Sequence, residues 1–210
     1  MLNGDDYVTA KGVILHREDR GENLLWSTVF LQGIGIVGVS SKNFMGDSEP
    51  FVWGEFYLQR LKKSTRYFIF DTDIKDTMFR LRRRDLETLQ AAFMFVKAVM
   101  KYLPYEQPDD ELLVNLYWSM KLLTFRAVPP SAAQWRFFWR WLKEWGLAPE
   151  FEEFCSAGKF LNEESELLSR VAGMTPKAVE ELFLGKINPN VRENVFKVAV
   201  NNAVRFLDQI

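Results

Sequence analysis

The hydrophobic pattern of the chain changes its period once, near residue 80, and this switch limits the folds that the sequence can adopt. Before it, five short runs rich in Val, Ile, Phe, Tyr and Trp are separated by turn-forming residues, which is typical of β-strands. Glycines inside these runs, at Gly12, Gly38 and Gly54, predict bends or bulges that help to close a small barrel. The predicted strands are residues 7–15, 24–32, 34–40, 52–60 and 66–72.

After the switch, apolar residues recur every three or four positions, as they do on one face of a helix. The first predicted helix begins near Asp85 and ends before Pro104. Ser131 is the predicted N-cap of the third helix, which ends at Gly146. Two later helices are predicted to start with a cap residue followed by proline, at Thr175–Pro176 and Asn188–Pro189.

Five strands followed by six helices and a short helix-and-loop segment, without βαβ alternation, predict a protein with separate β and α domains. The first, residues 1–81, is predicted to be a five-stranded antiparallel barrel. The second, residues 82–210, is predicted to be entirely helical.

Residues 33–38 spell the G-x-G-x-x-G fingerprint of dinucleotide-binding sites. That fingerprint requires a helix directly after the glycine turn, because the helix N-terminus holds the pyrophosphate. The residues that follow carry turn formers and a proline instead of a helical period, so the necessary context is missing. The segment is predicted to form a hairpin with Gly33 and Gly35 in its turn and Gly38 in a bent strand, and no cofactor is expected.

The residue types that usually carry catalysis are scarce. A nucleophilic triad needs a base, normally histidine, and His16 is the only histidine. Asp71, Asp73 and Asp76 resemble the opening of a calcium loop but lack its later glycine and glutamate, so they predict a solvated turn. No carboxylate pair stands out by spacing, and the sequence therefore predicts a protein that is not an enzyme.

No targeting segment is expected. The first ten residues contain acids and no apolar run, and the most apolar stretch is interrupted by Lys97 and is too short to span a bilayer. A single cysteine, Cys155, excludes a disulfide framework within one chain. These features predict a cytoplasmic protein.

Charge is distributed unevenly along a chain whose formal net charge is −1. Residues 58–84 carry nine Lys or Arg against three acids, a net +6, whereas residues 146–210 carry seven against ten, a net −3. A basic cluster on a small barrel is the electrostatic footprint of a polyanion-binding protein, although surface runs of this kind are also common as solvated loops. The DNA-binding candidates are Lys42, Arg60, Lys62, Lys63, Arg66, Arg80, Arg82, Arg83 and Arg84.

The third helix combines a wide aromatic face with a basic stripe. On a helical wheel Trp135, Phe138 and Trp139 share one side, which predicts packing in a core. The stripe is predicted to lie beside an exposed tryptophan and to suit either DNA or an acidic peptide that ends in an aromatic residue. The partner-binding candidates are Arg136, Arg140, Trp141 and Lys143.

Several stretches, taken in order, resemble RecO, a family of bacterial recombination mediators. The matching stretches are KGVILHREDRGENLLWSTVFLQGIG, GVSSKNF followed by EPFVWGEFYLQR, FRLRRRDLETLQAAFMFVKAVMKYLPYEQPDDELLVNLYWSMKLL, and LKEWGLAPEFEEFCSAG. The resemblance implies an N-terminal OB-fold followed by a helical domain, and in many members a cysteine zinc cluster after the third helix.

Two departures from the family pattern matter. Basic residues that the family places after the third strand are replaced by Ser40 and Ser41, which leaves Lys42. Cys155 stands at the first zinc-ligand position, but Gly158 occupies the next, and one cysteine cannot supply the four ligands of structural zinc. A degenerate zinc region near residues 150–162, without metal and with Cys155 as a mostly buried thiol, is therefore predicted.

The resemblance implies a non-enzymatic role in DNA repair in the cytoplasm, at the nucleoid. Family members bind single- and double-stranded DNA, anneal strands, and work with RecR to load recombinase onto DNA coated by single-stranded-DNA-binding protein. The basic stripe of the third helix would receive the acidic, Phe-ended tail of that coating protein. Two alternatives remain open: an interaction adaptor that has lost DNA binding, and an enzyme on the same scaffold, which the scarcity of His and Cys disfavours.

Overall fold

The structure, a computed structural model, describes residues 7–19, 24–42, 49–60, 66–184 and 189–209. It comprises two compact units. The barrel unit consists of Met1–Phe79 and Val96–Leu113, and the helical unit of Arg80–Phe95 and Val114–Ile210. The predicted domain boundary after residue 81 stays a prediction.

Five strands close into a barrel in the order β1-β2-β3-β5-β4, with β4 paired to β1. The predicted five-stranded, mostly antiparallel OB-like barrel is confirmed, and the one parallel pairing joins β3 to β5. Five is an odd number, so strand direction cannot alternate at every pairing of a closed ring. The strands are β1 Tyr7–Asp19, β2 Leu24–Leu31, β3 Gly35–Lys42, β4 Trp53–Arg60 and β5 Tyr67–Asp76.

The barrel is filled by alternate side chains of its strands, as a period of two requires. Val29, Leu31, Phe56 and Leu58 are all fully buried there. The last strand is longer than predicted. Residues 71–76 continue β5 and pair with β4, so the solvated turn expected there is wrong.

The glycine motif forms the predicted hairpin. Gly33 and Gly35 have φ angles of 70° and 95°, and the pair Leu31–Gly35 closes the end of the β2–β3 ladder. The strand β3 follows the turn directly, where a dinucleotide site would need a helix. The register shifts next to Gly54 in β4, as a bulge prediction requires, but runs through Gly12 and Gly38 without interruption.

Eight helices follow the barrel in the described part of the chain. The six predicted helices and the short one near residue 151 are present, and a four-residue helix, α1, was not predicted. The helices are α1 Phe79–Arg82, α2 Leu86–Tyr102, α3 Asp110–Leu123, α4 Pro130–Glu144, α5 Phe151–Gly158, α6 Asn162–Gly173, α7 Pro176–Leu184 and α8 Pro189–Leu207.

Helix ends agree with the sequence in two places and differ in one. Gly146 has φ 68° and its N–H donates to Lys143 O at 3.1 Å, as expected beyond a helix end. The Ala178 N–H donates to Thr175 Oγ1 at 3.4 Å, which agrees with the predicted cap. Ser131 is not an N-cap, because α4 begins at Pro130 and the serine is buried within its first turn. The other predicted cap, Asn188, lies outside the described residues.

The core of the helical unit is built around α4, which packs against α6 and α8. Trp135 stacks on Trp139 and on Phe154, with distances between ring centroids of 5.0 and 5.2 Å. Its Nε1 donates a hydrogen bond to Leu168 O at 2.9 Å. On another side of the same helix, Phe137 lies 4.5 Å from Phe95. Aromatic side chains on several faces make α4 a central helix of the core.

No helix within the described ranges is long and apolar enough to cross a bilayer.

Candidate nucleic-acid interface

On the barrel unit, two of the predicted DNA-binding arginines flank the connection from β4 to β5. Arg60 is the last residue of β4 and Arg66 directly precedes β5, and both side chains are exposed. The candidates between them, Lys62 and Lys63, lie outside the described residues, as does the side chain of Lys42 at the end of β3.

The arginine before β5 lies over a tryptophan that the sequence interpretation did not select. The guanidinium carbon of Arg66 is 4.8 Å from the ring centroid of Trp26, and the ring is partly exposed. Strands 2 and 3 and the β1–β2 and β4–β5 loops form the ligand face of OB-folds, and Trp26 lies in β2 opposite Ser40 of β3. A cation beside an exposed indole is suited to contact a phosphate and stack on a base.

The two serines on β3 contribute no exposed polar surface. Ser40 and Ser41 are 5% and 3% exposed and pair with Trp26 and Leu25 of β2. Because both residues are serines, this stretch of the strand lacks the positive charge that the family pattern carries there. Trp26, which pairs with Ser40, is partly exposed and could contact a ligand with its indole ring.

The run Arg80–Arg84 belongs to the helical unit. Arg80 and Arg83 are exposed, and Arg82 is partly buried. Arg84 is also partly buried and lies 3.8 Å from Asp85, whose carboxylate accepts hydrogen bonds from Thr88 at the start of α2. Those hydrogen bonds lower the pKa of Asp85, and Arg84 adds to the effect. This arginine therefore supports a helix start, and Arg80 and Arg83 are the exposed arginines of the run.

Only two of the four residues predicted to form the partner-binding stripe on α4 reach the surface. The expectation of an exposed Trp141 is wrong, because its side chain is fully buried against Phe137 and Phe138. Arg136 is 1% exposed and its Nε donates to Met174 O at 3.1 Å. Burial, and secondarily the charge of Arg140, lower the pKa of Arg136 to about 10. Neither buried side chain can meet a partner directly.

The two remaining members of the stripe line a groove. Arg140 is partly exposed and Lys143 is exposed, and both border a cavity of about 650 Å³ in the helical unit. Trp139 and Phe151 supply aromatic walls, and Ala172 and Gly173 contribute from α6. The wall also contains Glu144 and Glu150, so two acids lie in the same lining as the two cations. An anionic chain end with an apolar side chain would suit such a groove.

The zinc cluster of the family does not fit the residues present. A Cβ built on Gly158 would lie 2.7 Å from Cδ2 of Phe160, so the aromatic ring occupies the space of the second ligand. Cys155 is buried, as predicted, and its carbonyl accepts from the Phe160 N–H at 3.1 Å. Phe154 and Phe160 stack at 6.1 Å. Among the described residues no three His, Cys, Asp or Glu side chains gather as metal ligands would.

Purified protein is accordingly expected to contain far less than one zinc atom per chain, because one thiol cannot hold the ion. Elemental analysis after dialysis measures this directly. Treatment with a chelator is expected to leave the thermal unfolding midpoint unchanged, whereas zinc-dependent folds lose their structure. Stoichiometric zinc that survives dialysis would contradict the expectation.

Comparison with known proteins supports the resemblance seen in the sequence. No protein-family model matches the chain. The DNA repair protein RecO of Clostridium novyi (strain NT) is 27% identical to it over 215 residues, a match that covers 95% of this chain and 82% of the relative. The similarity thus runs through the barrel and the helices alike. The chain is therefore similar over nearly its whole length to a DNA repair protein of the RecO family.

Proposed function

We propose that the chain is a DNA-binding recombination mediator that holds single-stranded DNA on its barrel, anneals complementary strands and helps to load recombinase onto coated DNA. Like the RecO proteins that it resembles, it is proposed to act without catalysing a reaction. Its mechanism is physical: cationic side chains neutralise phosphates and release counterions, while exposed aromatic rings stack on bases. It would work in the cytoplasm, at the nucleoid.

The observation that carries this proposal is the pairing of Arg66 with Trp26 on the barrel. The two groups lie within 4.8 Å of each other on the face that OB-folds use for oligonucleotides. Arg60, exposed at the end of β4, extends positive charge toward the same connection. Lys62, Lys63 and Lys42 are proposed to add to this surface, with Arg80, Arg82, Arg83 and Arg84 as the candidates of the helical unit.

Titration of a fluorescein-labelled single-stranded oligonucleotide at several salt concentrations, followed by anisotropy, tests the proposal. We expect log K to fall linearly with log salt, and each removed phosphate contact to reduce the slope by about 0.7. Arg66→Ala, alone or with Lys62→Ala and Lys63→Ala, should reduce both affinity and slope. Trp26→Ala should weaken binding by about 1–3 kcal/mol with a smaller change of slope, because stacking releases no counterion.

Matched controls are available in the helical unit. Arg126 is an exposed arginine and Trp118 is a tryptophan that is 44% exposed on α3. Arg126→Ala and Trp118→Ala should leave affinity within about twofold of the wild type, because neither residue is among the proposed contacts. Equal losses in the control and test variants would contradict the assignment of the barrel face.

The second candidate function is an interaction adaptor of the same fold with weak or no DNA binding. The burial of Ser40 and Ser41, where the family pattern places basic residues, favours it. The same titration separates the two functions, because an adaptor would give weak binding with a flat salt dependence.

Two protein partners complete the proposal. The groove lined by Arg140, Lys143 and Trp139 is proposed to receive the acidic, Phe-ended tail of single-stranded-DNA-binding protein, with the cations meeting carboxylates and the rings meeting the terminal side chain. Arg136 and Trp141, chosen from the sequence for this role, would support the groove from within the core. RecR is proposed as the other partner from the resemblance to the RecO family alone.

A further inference from the structure

One outer face of the barrel carries three neighbouring aromatic side chains that no core contact explains. Tyr7 is 61% exposed and Phe70 is 47% exposed, and their rings meet edge to face at 5.6 Å. Tyr57, partly exposed, lies 6.3 Å from Phe70. They come from β1, β5 and β4, which are adjacent strands. Clustered exposed aromatic rings are typical of protein interaction surfaces.

A β-bulge brings a carboxylate to the same place. Tyr57 pairs with Asp71 while Leu58 pairs with Ile69, so Phe70 is the extra residue of β5. Strict alternation would turn Asp71 inward after an outward Phe70, but the bulge leaves both residues exposed. An aromatic ring and an acid therefore stand side by side on one surface.

Two more acids frame the rings. Glu55 and Asp73 are direct cross-strand partners, an arrangement of like charges that destabilises a sheet. Lys75 pairs with Asp73, whereas Lys11, opposite Glu55 on β1, forms no ion pair with it in the described part of the chain. Among the described residues Glu55 therefore forms no ion pair, although the charge of Lys75 acts on it.

The carboxylate of Glu55 acts directly on the phenol of Tyr57. Its hydroxyl donates to Glu55 Oε2 at 3.4 Å. The charge of Glu55, followed by desolvation and the charges of Asp73 and Asp71, raises the pKa of Tyr57. The field around the rings is therefore negative.

We propose that this aromatic–acidic face, formed by Tyr7, Tyr57, Phe70, Glu55, Asp71 and Asp73, docks an arginine-bearing segment of a protein partner. A guanidinium stacks on an aromatic ring while its N–H groups reach a carboxylate, and both acceptors stand here within one patch. A nucleic acid would meet negative charge on this face. The face is distinct from the Trp26–Arg66 surface, where a cation lies beside the ring.

The test uses the full chain and a fluorescein-labelled peptide of alternating arginine and glycine, with a glutamate–glycine peptide as the charge-reversed control. Phe70→Leu keeps apolar bulk but removes the ring, and Asp71→Asn removes one charge. Trp118→Leu and Glu166→Gln are matched controls, since both residues are exposed and lie on α3 and α6. A labelled single-stranded oligonucleotide is titrated against every variant in parallel.

We expect saturable binding of the arginine peptide and none of the glutamate peptide. Each test variant should weaken the arginine peptide by about threefold or more, as expected for loss of one cation–π or ion-pair contact, while the controls and oligonucleotide affinity stay unchanged. Glu55→Gln should weaken the peptide yet raise the thermal unfolding midpoint, because it relieves the repulsion with Asp73. A variant that is more stable and yet binds the peptide more weakly cannot have lost binding because it unfolds.

Failure of the wild type to bind the arginine peptide saturably would overturn the proposal. Equal weakening by Trp118→Leu and Phe70→Leu would also overturn it, as would Phe70→Leu weakening the oligonucleotide instead of the peptide. The last result would assign the rings to base stacking.

Discussion

Replacing Gly35 by alanine is expected to lower the free energy of unfolding by about 3–5 kcal/mol, the range of severe backbone and packing defects. Gly35 has φ 95°, a conformation that L-residues with a Cβ rarely adopt. A Cβ there would also lie 2.6 Å from the carbonyl carbon of Gln107. Backbone atoms cannot rotate away as a side chain can, so the hairpin or the segment over it would have to move.

The other two glycines of the motif give a graded control series in urea unfolding. Gly33 has φ 70° but open space around it, so Gly33→Ala should cost only the conformational penalty of about 1–2 kcal/mol. Gly38 has neither a positive φ nor an atom within 4 Å of a built Cβ, so Gly38→Ala should change stability by less than about 1 kcal/mol. Similar effects at all three positions would contradict this interpretation of the motif.

Trp135→Ala is the second substitution expected to have a large effect, a loss of about 3–5 kcal/mol from the cavity alone. The ring is fully buried, stacks on Trp139 and Phe154, and donates to the carbonyl of Leu168. Removal also deletes the hydrogen bond from the indole to that carbonyl, a further loss of about 0.5–1.5 kcal/mol.

Chemical denaturation followed by circular dichroism measures the loss. Trp118→Ala is the matched control, because the ring is 44% exposed and should cost less than about 1 kcal/mol. Trp135→Phe keeps most of the apolar area and should fall between the two. If Trp135→Ala were as stable as Trp118→Ala, α4 would not be the core helix described above.

The strands of the barrel were predictable because one-sided burial imposes a period of two, and the runs from Leu24 and Trp53 obey it. The parallel pairing of β3 with β5 was not predictable from local pattern, since it follows from ring closure between residues far apart in sequence. The short helix α1 is below the length at which a helical period can be recognised.

The candidate site was harder to predict than the fold. A helical wheel places Trp141 apart from the main aromatic face of α4, but its side chain is fully buried, and a wheel contains no information on what packs against each side of a helix. Trp26 was overlooked because it lies in an apolar run that looks like core. The folded barrel shows that its side chain is partly exposed and that Arg66 lies over its ring. Charge, in contrast, is visible in sequence, and Arg60, Arg66, Arg80 and Arg83 are exposed as a basic run requires.

The barrel unit is discontinuous in the chain, because Val96–Leu113 joins Met1–Phe79. On a ribosome, the backbone of Gln107 that covers Gly35 and the carboxylate of Asp110 that accepts from the Gly33 N–H at 2.7 Å emerge after all five strands. At about 5–20 residues per second, residue 113 follows residue 79 by about 2–7 seconds. During that interval the nascent hairpin carries its positive-φ glycines uncovered, so the order of synthesis sets when the barrel can be completed.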